Sequence, residues 1–369
     1  MIQQINLKAN EGIIFNLRSL YDSYGYSQYR MSKFEEYDLY SNNKDFLVSD
    51  GVITFTDTNG KLMALKPDVT LSIVKNTRDG ECVQKLYYNE NVYRVSKSTH
   101  SFKEIMQVGL ECIGNVDDYC IYEVLTLAAK SLQQISDSSV LDVSSLDILM
   151  QVIDFAGIPD SEKKDVFRCI GEKNMHELMQ KCAELEIDSI KIELLKSLIS
   201  LHGKPSAVIP RLEKLLESVP EKEPLNKFKS IVTALKSNNI NIDFSVIDDI
   251  RYYNGIVFKG FIQGVPNSVL SGGQYDVLMK KMKRKTGAIG FAVYLDILEQ
   301  FNIEKEKFDV DAVLVYDNES DFALIEETTE MMRAENKSVL VLDKVPQDIR
   351  YRTLVAIENG EVNTVENNA

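Results

Sequence analysis

The sequence predicts an α+β fold: a large antiparallel sheet with flanking helices, a helical insert and a small C-terminal α/β domain. Strand patterns dominate residues 26–114, whereas helical periods follow one another from Ser144 to Ser237. A strand–helix–strand unit comes after Lys307. A chain of 369 residues is long enough for two or three domains. We therefore expect one domain over residues 1–303, with the insert at about 144–238, and a second over residues 308–369.

The first elements are predicted to be a helix and a set of strands. The helix is placed at Ala9–Tyr24, because its apolar residues recur at helical spacing and Gly25 follows. Strands are placed at Val52–Phe55, Leu62–Leu65, Val83–Val95 and Ile105–Ile113. The last two are long and joined by a polar stretch, which predicts an antiparallel pair. Pro67 is expected to open a helix that runs to Asn76, and Asp118 to cap another.

After the insert, strand signals return. We place strands at Ile240–Ile247, Tyr252–Ile262, Ser268–Leu270 and Ala288–Val293. The pair Gly272-Gly273 predicts a turn, followed by a helix to about Lys283. The C-terminal domain is predicted to contain strands at Ala312–Tyr316, Ser338–Leu342 and Thr353–Ile357, and a helix at Asp321–Ala334.

The charge of the chain is strongly acidic. It carries 42 Lys and Arg against 56 Asp and Glu, a net charge of −14. Residues 308–369 hold 14 acidic and 5 basic residues, so the acidity is concentrated there. Nucleic-acid binding favours clustered Lys and Arg, so this balance argues against a protein that works on nucleic acid.

Several other classes are disfavoured by what the sequence lacks. No apolar run approaches the roughly 20 residues of a membrane helix, and the N-terminus shows no secretory signal, so we expect a cytoplasmic protein. The five cysteines form no CxxC, which predicts reduced and mostly buried thiols. No metal site or cofactor is expected, because phosphate-binding glycine loops are absent and the histidines, His100, His176 and His202, lack ligand spacing.

The stretch Ile105–Ile113 carries the most informative chemistry. Side chains alternate across a strand, so Gln107, Gly109 and Glu111 share one face. Gln107 and Glu111 are then roughly 13 Å apart, with a gap over the glycine between them. Such a gap, flanked by an amide and a carboxylate, fits a small zwitterion. The simpler interpretation is a solvated polar face on an antiparallel sheet.

Other candidate residues have ordinary explanations when they are taken singly. Arg94 ends a strand, where an arginine is usually paired or solvated and only sometimes binds a carboxylate or phosphate. Asp68 and Thr70 are either helix-capping residues or acceptors for a ligand ammonium group. Tyr252 and Tyr253 are adjacent tyrosines, which are mostly packing residues in strands.

The order of these motifs is more specific than any one of them. The segments KPDVT, NVYR, KEIMQVGLECIG, RYYNGIVF, SGGQYD and GAIGFAVYLDIL resemble the catalytic-domain series of histidyl-tRNA synthetases and their non-synthetase paralogues. They occur in the family's order and span residues 1 to about 300. The resemblance implies the class II aminoacyl-tRNA synthetase fold, which is an antiparallel sheet flanked by helices.

The resemblance also implies a histidine pocket. In the family, the matching positions contact the amino group, the imidazole or a neighbouring phosphate; they are here Asp68, Thr70, Arg94, Gln107, Glu111, Tyr252, Tyr253 and Tyr275. A neutral imidazole offers one donor and one acceptor nitrogen, which suits a carboxylate and a phenol.

The ATP-binding positions depart from the family pattern. A family glutamate is Ser96 here, the arginine that packs on ATP is Ile297, and an arginine that assists adenylate formation is Asp248. The family's motif 1 proline is replaced by Ser32, although Glu35 remains. Losing positive charge where a polyphosphate binds raises the barrier to adenylation. The departures imply that the chain has no catalytic residues of its own.

The C-terminal region resembles only the first part of the family's anticodon-binding domain. A kept histidine pocket with lost ATP and tRNA functions resembles the regulatory subunits of ATP phosphoribosyltransferase. The resemblance implies a homodimer through the synthetase-like domain, a hetero-octamer with the short-form catalytic subunit, histidine as effector and no tRNA. The alternatives are a divergent histidyl-tRNA synthetase and a synthetase-like protein with another ligand.

The segment Lys280–Lys285 is a basic island in an acidic chain. It is either a solvated helix end or a contact for a partner subunit or nucleotide.

Overall fold

The computed structural model describes residues 9–44, 47, 51–80, 82–95, 101–247, 252–301, 308–317, 320–358 and 360–368. The chain divides into two compact units, Met1–Phe301 and Asn302–Ala369. Within the described ranges, the helices are all too short or too polar to cross a lipid bilayer.

Strands and helices alternate through the first unit. Its strands are β1 (Ser27–Gln28), β2 (Phe34–Glu36), β3 (Thr54–Thr56), β4 (Leu62–Leu65), β5 (Gln84–Val95), β6 (Phe102–Gly114), β7 (Ser139–Ser145), β8 (His202–Gly203), β9 (Ile240–Asp243), β10 (Asn254–Ile262), β11 (Leu270–Gln274) and β12 (Gly287–Tyr294). Its helices are α1 (Ala9–Ser23), α2 (Tyr37–Ser41), α3 (Thr70–Asn76), α4 (Asp118–Ile135), α5 (Leu146–Ala156), α6 (Asp160–Gly171), α7 (Met175–Glu184), α8 (Ser189–Ile199), α9 (Pro205–Leu215), α10 (Glu223–Ala234), α11 (Asp276–Lys281) and α12 (Leu295–Phe301).

The large sheet of the first unit is mainly antiparallel. Among the described residues its strand order is β1-β5-β6-β12-β11-β10-β7-β9-β8, and only the β1–β5 and β7–β9 pairs are parallel. Strands β2, β4 and β3 form a separate small sheet. The predicted pair of long strands is confirmed, since β5 and β6 are antiparallel neighbours.

Strand β6 is buried on both faces through most of its length. The predicted apolar face is confirmed at Val108, Leu110 and Cys112, but Met106 is 36% exposed. Gln107 and Glu111 on the opposite face are buried as well. The interpretation of this face as a solvated polar surface is therefore wrong, because Thr70 of α3 and Tyr275 pack over Glu111 on this face.

The start of α3 differs from the prediction. The helix begins at Thr70, and Pro67 lies in the preceding loop. The carboxylate of Asp68 accepts a hydrogen bond from the Leu71 backbone N–H at 2.8 Å, which satisfies one of the free donors at the helix start. The predicted cap of α4 is displaced by one residue, because Asp117 is the N-cap and accepts from the Cys120 N–H.

The predicted turn at Gly272-Gly273 is wrong, because both glycines lie inside β11. They allow close packing in the sheet rather than a chain reversal. A Cβ on Gly272 would lie 2.4 Å from the carbonyl oxygen of Gly290, and one on Gly273 would lie 2.8 Å from the Tyr253 ring. Glycine in a strand commonly marks such close approach.

The insert consists of helices α5–α10, with the two-residue strand β8 between α8 and α9. Several of its helices begin at side-chain caps, such as Ser145, Asn174 and Asp188, which accept hydrogen bonds from the first turn. Buried residues of these helices, including Leu149, Leu198 and Phe228, belong to the same apolar core as the large sheet.

The second unit contains one described helix and a four-stranded sheet. Its elements are β13 (Val310–Tyr316), α13 (Phe322–Ala334), β14 (Val339–Leu342), β15 (Tyr351–Glu358) and β16 (Glu361–Asn367). The sheet order is β14-β13-β15-β16, with β13 parallel to both neighbours. The predicted strands and helix are confirmed, whereas β16 was not predicted because its alternating residues are all exposed.

Candidate functional site

The centre of the candidate site is the buried carboxylate of Glu111 on β6. It accepts a hydrogen bond from the Thr70 hydroxyl at 2.8 Å and one from the Tyr275 hydroxyl at 2.5 Å. Across the sheet, Glu111 is opposite Gly290 of β12. A Cβ at Gly290 would lie 1.8 Å from one Glu111 carboxylate oxygen, so only glycine leaves room for this side chain.

Burial changes the protonation of Glu111. The loss of hydration raises its pKa to about 8, although the hydrogen bonds from Tyr275 and Thr70 act in the opposite direction. The nearby charge of Asp68 raises the pKa further. The carboxyl group is therefore largely protonated at neutral pH until a cation enters, and a cationic ligand group would ionise it.

Tyrosine rings form one wall of the site. The rings of Tyr252 and Tyr253 lie 4.6 Å apart between centroids, and Tyr252 and Tyr275 lie 5.9 Å apart. Tyr252 is hydrogen-bonded to the side chain of Thr70, which links this wall to Glu111. Desolvation raises the pKa of Tyr252 and Tyr275 well above the usual range, so both are neutral phenols.

Asp68 and Arg94 place opposite charges on the other side of the site. The Nε–H of Arg94 donates to the Pro67 carbonyl at 3.0 Å, which holds the guanidinium beside the start of α3. In the described part of the chain, its terminal nitrogens make no hydrogen bond. Burial raises the pKa of Asp68, and the charge of Arg94 lowers it. The guanidinium is thus positioned to bind a carboxylate or phosphate.

The gap predicted over Gly109 is not empty. Tyr88 of β5 is directly opposite Gly109, and a Cβ on that glycine would lie 2.5 Å from the Tyr88 hydroxyl oxygen. The prediction of an open gap is wrong, because the cross-strand neighbour fills it. Gln107 is buried beside it, and its amide makes no hydrogen bond to any described residue.

Two tyrosines of the site were not predicted. Tyr88 is buried, and the charges of Glu111 and Asp68 help to raise its pKa. Its role depends on the strand register that places it opposite Gly109, which the sequence of neither strand reveals alone. Tyr40 is buried near Asp68, and its hydroxyl has no hydrogen-bond partner in the described structure. Neither residue lies in one of the recognised segments.

One of the positions that depart from the family's ATP-binding pattern, Ile297, lies among the described residues. Ile297 packs against the main apolar core, so the position that holds a cation in the family is hydrophobic here. Asp296, beside it, has a buried carboxylate oxygen without a described partner, and burial raises the pKa of this group. Ser96, His100 and Asp248 lie outside the described residues.

Motif 1 residues have structural roles. The Ser32 hydroxyl accepts from the Phe34 N–H at 3.1 Å. Glu35 accepts from the Ser72 hydroxyl at 2.8 Å and pairs with Lys75 at 2.7 Å. These contacts connect β2 to α3, on which Thr70 is placed.

The basic island is partly a structural element. Arg284 donates to the backbone carbonyl oxygens of Val74 and Thr77 at the C-terminal end of α3, where cations are favourable. The Thr286 hydroxyl donates to Asp79 at 3.0 Å. The interpretation of the whole segment as a solvated helix end is therefore wrong for Arg284, although Lys280 and Lys285 are exposed.

Among the described residues, one group of three could hold a metal ion: Asp142, His202 and Asp243, whose ligand atoms lie within 4.8 Å of one another. Strand register brings them together, which sequence spacing did not reveal. Lys173 already pairs with Asp243 at 3.0 Å, and Asn241 donates to Asp142 at 3.3 Å. We therefore assign the group to the stability of the sheet edge.

Comparison with known proteins agrees with the fold and the motifs. A family model described as histidyl-tRNA synthetase matches residues 4–298. The chain belongs to the histidyl-tRNA synthetase family. Within this family, an ATP phosphoribosyltransferase regulatory subunit from Oceanobacillus iheyensis is 26% identical over 299 residues, which are 79% of this chain and 73% of that protein.

Two solved structures have a similar fold. One, described as an ATP phosphoribosyltransferase regulatory subunit/histidyl-tRNA synthetase from Bacillus halodurans C, matches with a TM-score of 0.74 and 21% identity over 96% of both chains. A chain of the ATP phosphoribosyl transferase (HisG:HisZ) complex from Thermotoga maritima matches with a TM-score of 0.61 and 18% identity, over 79% of this chain and 98% of that chain. The predicted class II synthetase fold is confirmed.

Proposed function

We propose that the protein is a regulatory subunit of ATP phosphoribosyltransferase, which is required for the first step of histidine biosynthesis, binds histidine and mediates feedback regulation of a separate catalytic subunit. The Glu111 cluster is the observation that carries this proposal. It combines a buried acid, neutral phenols and a guanidinium, which match the amino, imidazole and carboxylate groups of histidine. The naming of the Oceanobacillus iheyensis relative supports the same function.

The proposed role is non-catalytic. Ile297 matches the position at which the resemblance implies an ATP-binding arginine, and it packs against the apolar core beside the acidic Asp296. A hydrophobic side chain next to an acid supports a non-catalytic role, because it is a poor site for a polyphosphate. The partner is a short-form catalytic subunit, in a hetero-octamer of four regulatory and four catalytic chains. We further propose that the regulatory chains form homodimers through the synthetase-like domain and work in the cytoplasm without a cofactor or tRNA.

Regulation requires that histidine bind one state of the assembly more tightly than another. A ligand that binds both states with equal affinity does not change the equilibrium between them. If the catalytic subunit changes the affinity for histidine, then histidine changes the affinity for the catalytic subunit by the same factor. The catalytic subunit should therefore change the affinity of this chain for histidine, and histidine should change the activity of the complex.

The test begins with co-expression of the chain and a short-form ATP phosphoribosyltransferase. We expect the two to co-purify and the complex to be inhibited by histidine. Glu111→Ala should remove histidine inhibition while the variant still co-elutes with the catalytic subunit. The matched control is Glu104→Ala, since Glu104 is an exposed residue of the same strand. Unchanged histidine inhibition in Glu111→Ala would contradict the pocket assignment.

The second candidate function is a divergent histidyl-tRNA synthetase, because Arg94 is retained in an otherwise altered ATP side. Histidine-dependent ATP–pyrophosphate exchange distinguishes the two. We expect no exchange above background for this chain, whereas robust exchange would favour the synthetase. A thermal-shift panel of amino acids would reveal a different ligand, the remaining alternative.

A further inference from the structure

The strands β10 and β11 carry two tyrosines of the candidate site at one end of their pairing. Tyr253 directly precedes β10, and Tyr275 directly follows β11. The two strands pair regularly over residues 257–260 of β10, but the register shifts between Asn254 and Val257. Such a bulge disrupts the main-chain hydrogen bonds between strands and is common next to functional sites. The position of the two tyrosines therefore depends on other contacts at this end of the strands.

Gly255 and Gln274 shape the bulge. Gly255 has a φ of +59°, which lies in the left-handed region that favours glycine. A Cβ at this position would also collide with the Gln274 side chain. The Oε1 of Gln274 accepts a hydrogen bond from the Ile256 N–H at 2.9 Å. A side-chain amide thus takes the place of a main-chain acceptor within the bulge.

Two reciprocal hydrogen bonds connect the residues that follow the two tyrosines. The Nδ2 of Asn254 donates to the Asp276 carboxylate at 3.0 Å, and the Asp276 backbone N–H donates to the Oδ1 of Asn254 at 2.8 Å. An ionised carboxylate only accepts, so this pairing fixes which way the amide points. The two residues therefore hold the chain after Tyr253 against the chain after Tyr275.

Asp276 also joins this pair to β12. Its second carboxylate oxygen accepts from the Ala288 N–H at 2.9 Å, and the Ala288 carbonyl accepts from the Tyr275 N–H at 2.9 Å. The same strand carries Gly290, which lies opposite Glu111. The Asp276 carboxylate thus connects the segment that bears Tyr275 to the strand that borders Glu111.

We propose that Asn254 and Asp276 are positioning residues of the candidate site, which hold Tyr253 and Tyr275 in the geometry that binds the ligand. They act through the tyrosines and need no contact with the ligand themselves. The Tyr275 hydroxyl donates to Glu111 at 2.5 Å, and a hydrogen bond weakens steeply when its donor is displaced or turned away. The inference rests on the proposed function for the identity of the ligand, histidine.

Isothermal titration calorimetry of the full-length protein with histidine tests the pair. Asn254→Asp sets two carboxylates against each other, and we expect it to weaken histidine binding by about tenfold or more, since a hydrogen bond to a charged group is worth about this much. In Asn254→Asp/Asp276→Asn, the carboxylate and the amide exchange places. All three side-chain hydrogen bonds can then form again, so the affinity should return to within about threefold of the wild type.

Asn241→Asp is the matched control. Asn241 donates to Asp142 at 3.3 Å between β9 and β7, so the same substitution opposes two carboxylates in the same sheet but away from Glu111. It should lower the free energy of unfolding in urea and leave the affinity for histidine unchanged. Equal losses of affinity in Asn241→Asp and Asn254→Asp would reflect general destabilisation and would overturn the proposal.

The pKa of Glu111 provides a readout that needs no ligand. The hydrogen bond from Tyr275 lowers this pKa, so Asn254→Ala, which changes no charge, should raise it. Carboxyl ¹³C NMR of the glutamate-labelled protein measures the pKa, and the Glu111 signal is the one missing from Glu111→Gln. An unchanged pKa in Asn254→Ala would overturn the proposal.

The two readouts also separate this proposal from the proposed function. If the wild type binds no histidine but Asn254→Ala raises the pKa of Glu111, the positioning pair is supported and the proposed function is wrong. If the wild type binds histidine and Asn254→Asp binds it equally well, the proposed function stands and the positioning pair is wrong. Failure of Asn254→Asp/Asp276→Asn to regain affinity would likewise overturn the pair.

Discussion

The Glu111 side chain shows how one residue can couple a binding site to protonation. Its carboxyl group is buried, receives two hydroxyl donors and lies against the backbone at Gly290. Donors from hydroxyl groups stabilise the ionised form, but they do not replace the hydration that burial removes. With its pKa raised to about 8, the Glu111 carboxyl group holds a proton at neutral pH that a cationic ligand group would displace.

Protein stability should depend on pH through this residue. The folded-state pKa of Glu111 is about 8, against about 4.3 for an unfolded chain. The folded state therefore binds more protons between these values, and the free energy of unfolding falls as pH rises through this window. In Glu111→Gln, the loss of stability between pH 5 and 8 should be smaller by roughly 2 to 4 kcal/mol.

Urea denaturation of both proteins at each pH measures this difference. Parallel pH profiles for the wild type and Glu111→Gln would contradict the raised pKa. Glu104→Gln serves as the control, because Glu104 is exposed on the same strand.

At the scale of elements, an ion pair connects the loop before α3 to β5. Lys66 is fully buried, and its Nζ lies 2.8 Å from the carboxylate of Glu90. The Lys66 carbonyl also accepts from the Tyr93 N–H at 2.8 Å. This loop leads directly to Asp68 and Thr70, so the pair positions the elements that carry the acidic side of the site.

Removing the Glu90 charge should destabilise the first unit strongly. Glu90→Gln would leave the buried Lys66 without its counter-ion, and breaking such a pair costs about 3 to 5 kcal/mol. Glu104→Gln makes the same charge change on the neighbouring strand at an exposed position. The glutamine oxygen can still accept from Asn91 and Tyr93, so the change should cost less than about 1 kcal/mol. Equal losses in chemical denaturation would show that Lys66 does not depend on Glu90.

At the scale of the whole molecule, the charge of the chain argues against tRNA binding. The net charge is −14, and residues 308–369 carry 14 acidic and 5 basic residues. Protein binding to nucleic acid depends on cations that replace the counter-ions of phosphates. The second unit therefore has an unfavourable surface charge for an anticodon stem.

We accordingly expect no binding of histidine tRNA. A filter-binding assay at about 0.15 M salt should show no retention of labelled tRNA up to about 10 μM protein. An active histidyl-tRNA synthetase provides the positive control in the same assay. Saturable retention by this chain would contradict the expectation and favour the synthetase alternative.

The sequence predicted the long-range organisation better than the local detail. The β5–β6 pair and the helical insert follow from apolar periodicity, which reflects burial directly. Gly272-Gly273 was assigned to a turn because glycine favours both turns and close strand approach, and only the partner strand distinguishes them. Proline at 67 likewise allows a helix start without requiring one.

The site residues that could be predicted from the sequence are those within the six segments that resemble the synthetase family. Thr70, Glu111 and Tyr275 come together although 164 residues separate the last two in sequence. Tyr88 was not predictable in this way, because its role depends on the register that places it opposite Gly109. Register is a property of two strands together, and neither strand reveals it alone.

The glycine at position 290 also restricts how the site could be redesigned. Any side chain added there would collide with Glu111, and the neighbouring Gly272 and Gly273 leave no more space. Main-chain atoms therefore line this side of the candidate site, and side-chain substitutions cannot change its shape in small steps. If the site binds an amino acid as we propose, a change in its selectivity would have to come from the tyrosine wall, where Tyr253 is only partly buried.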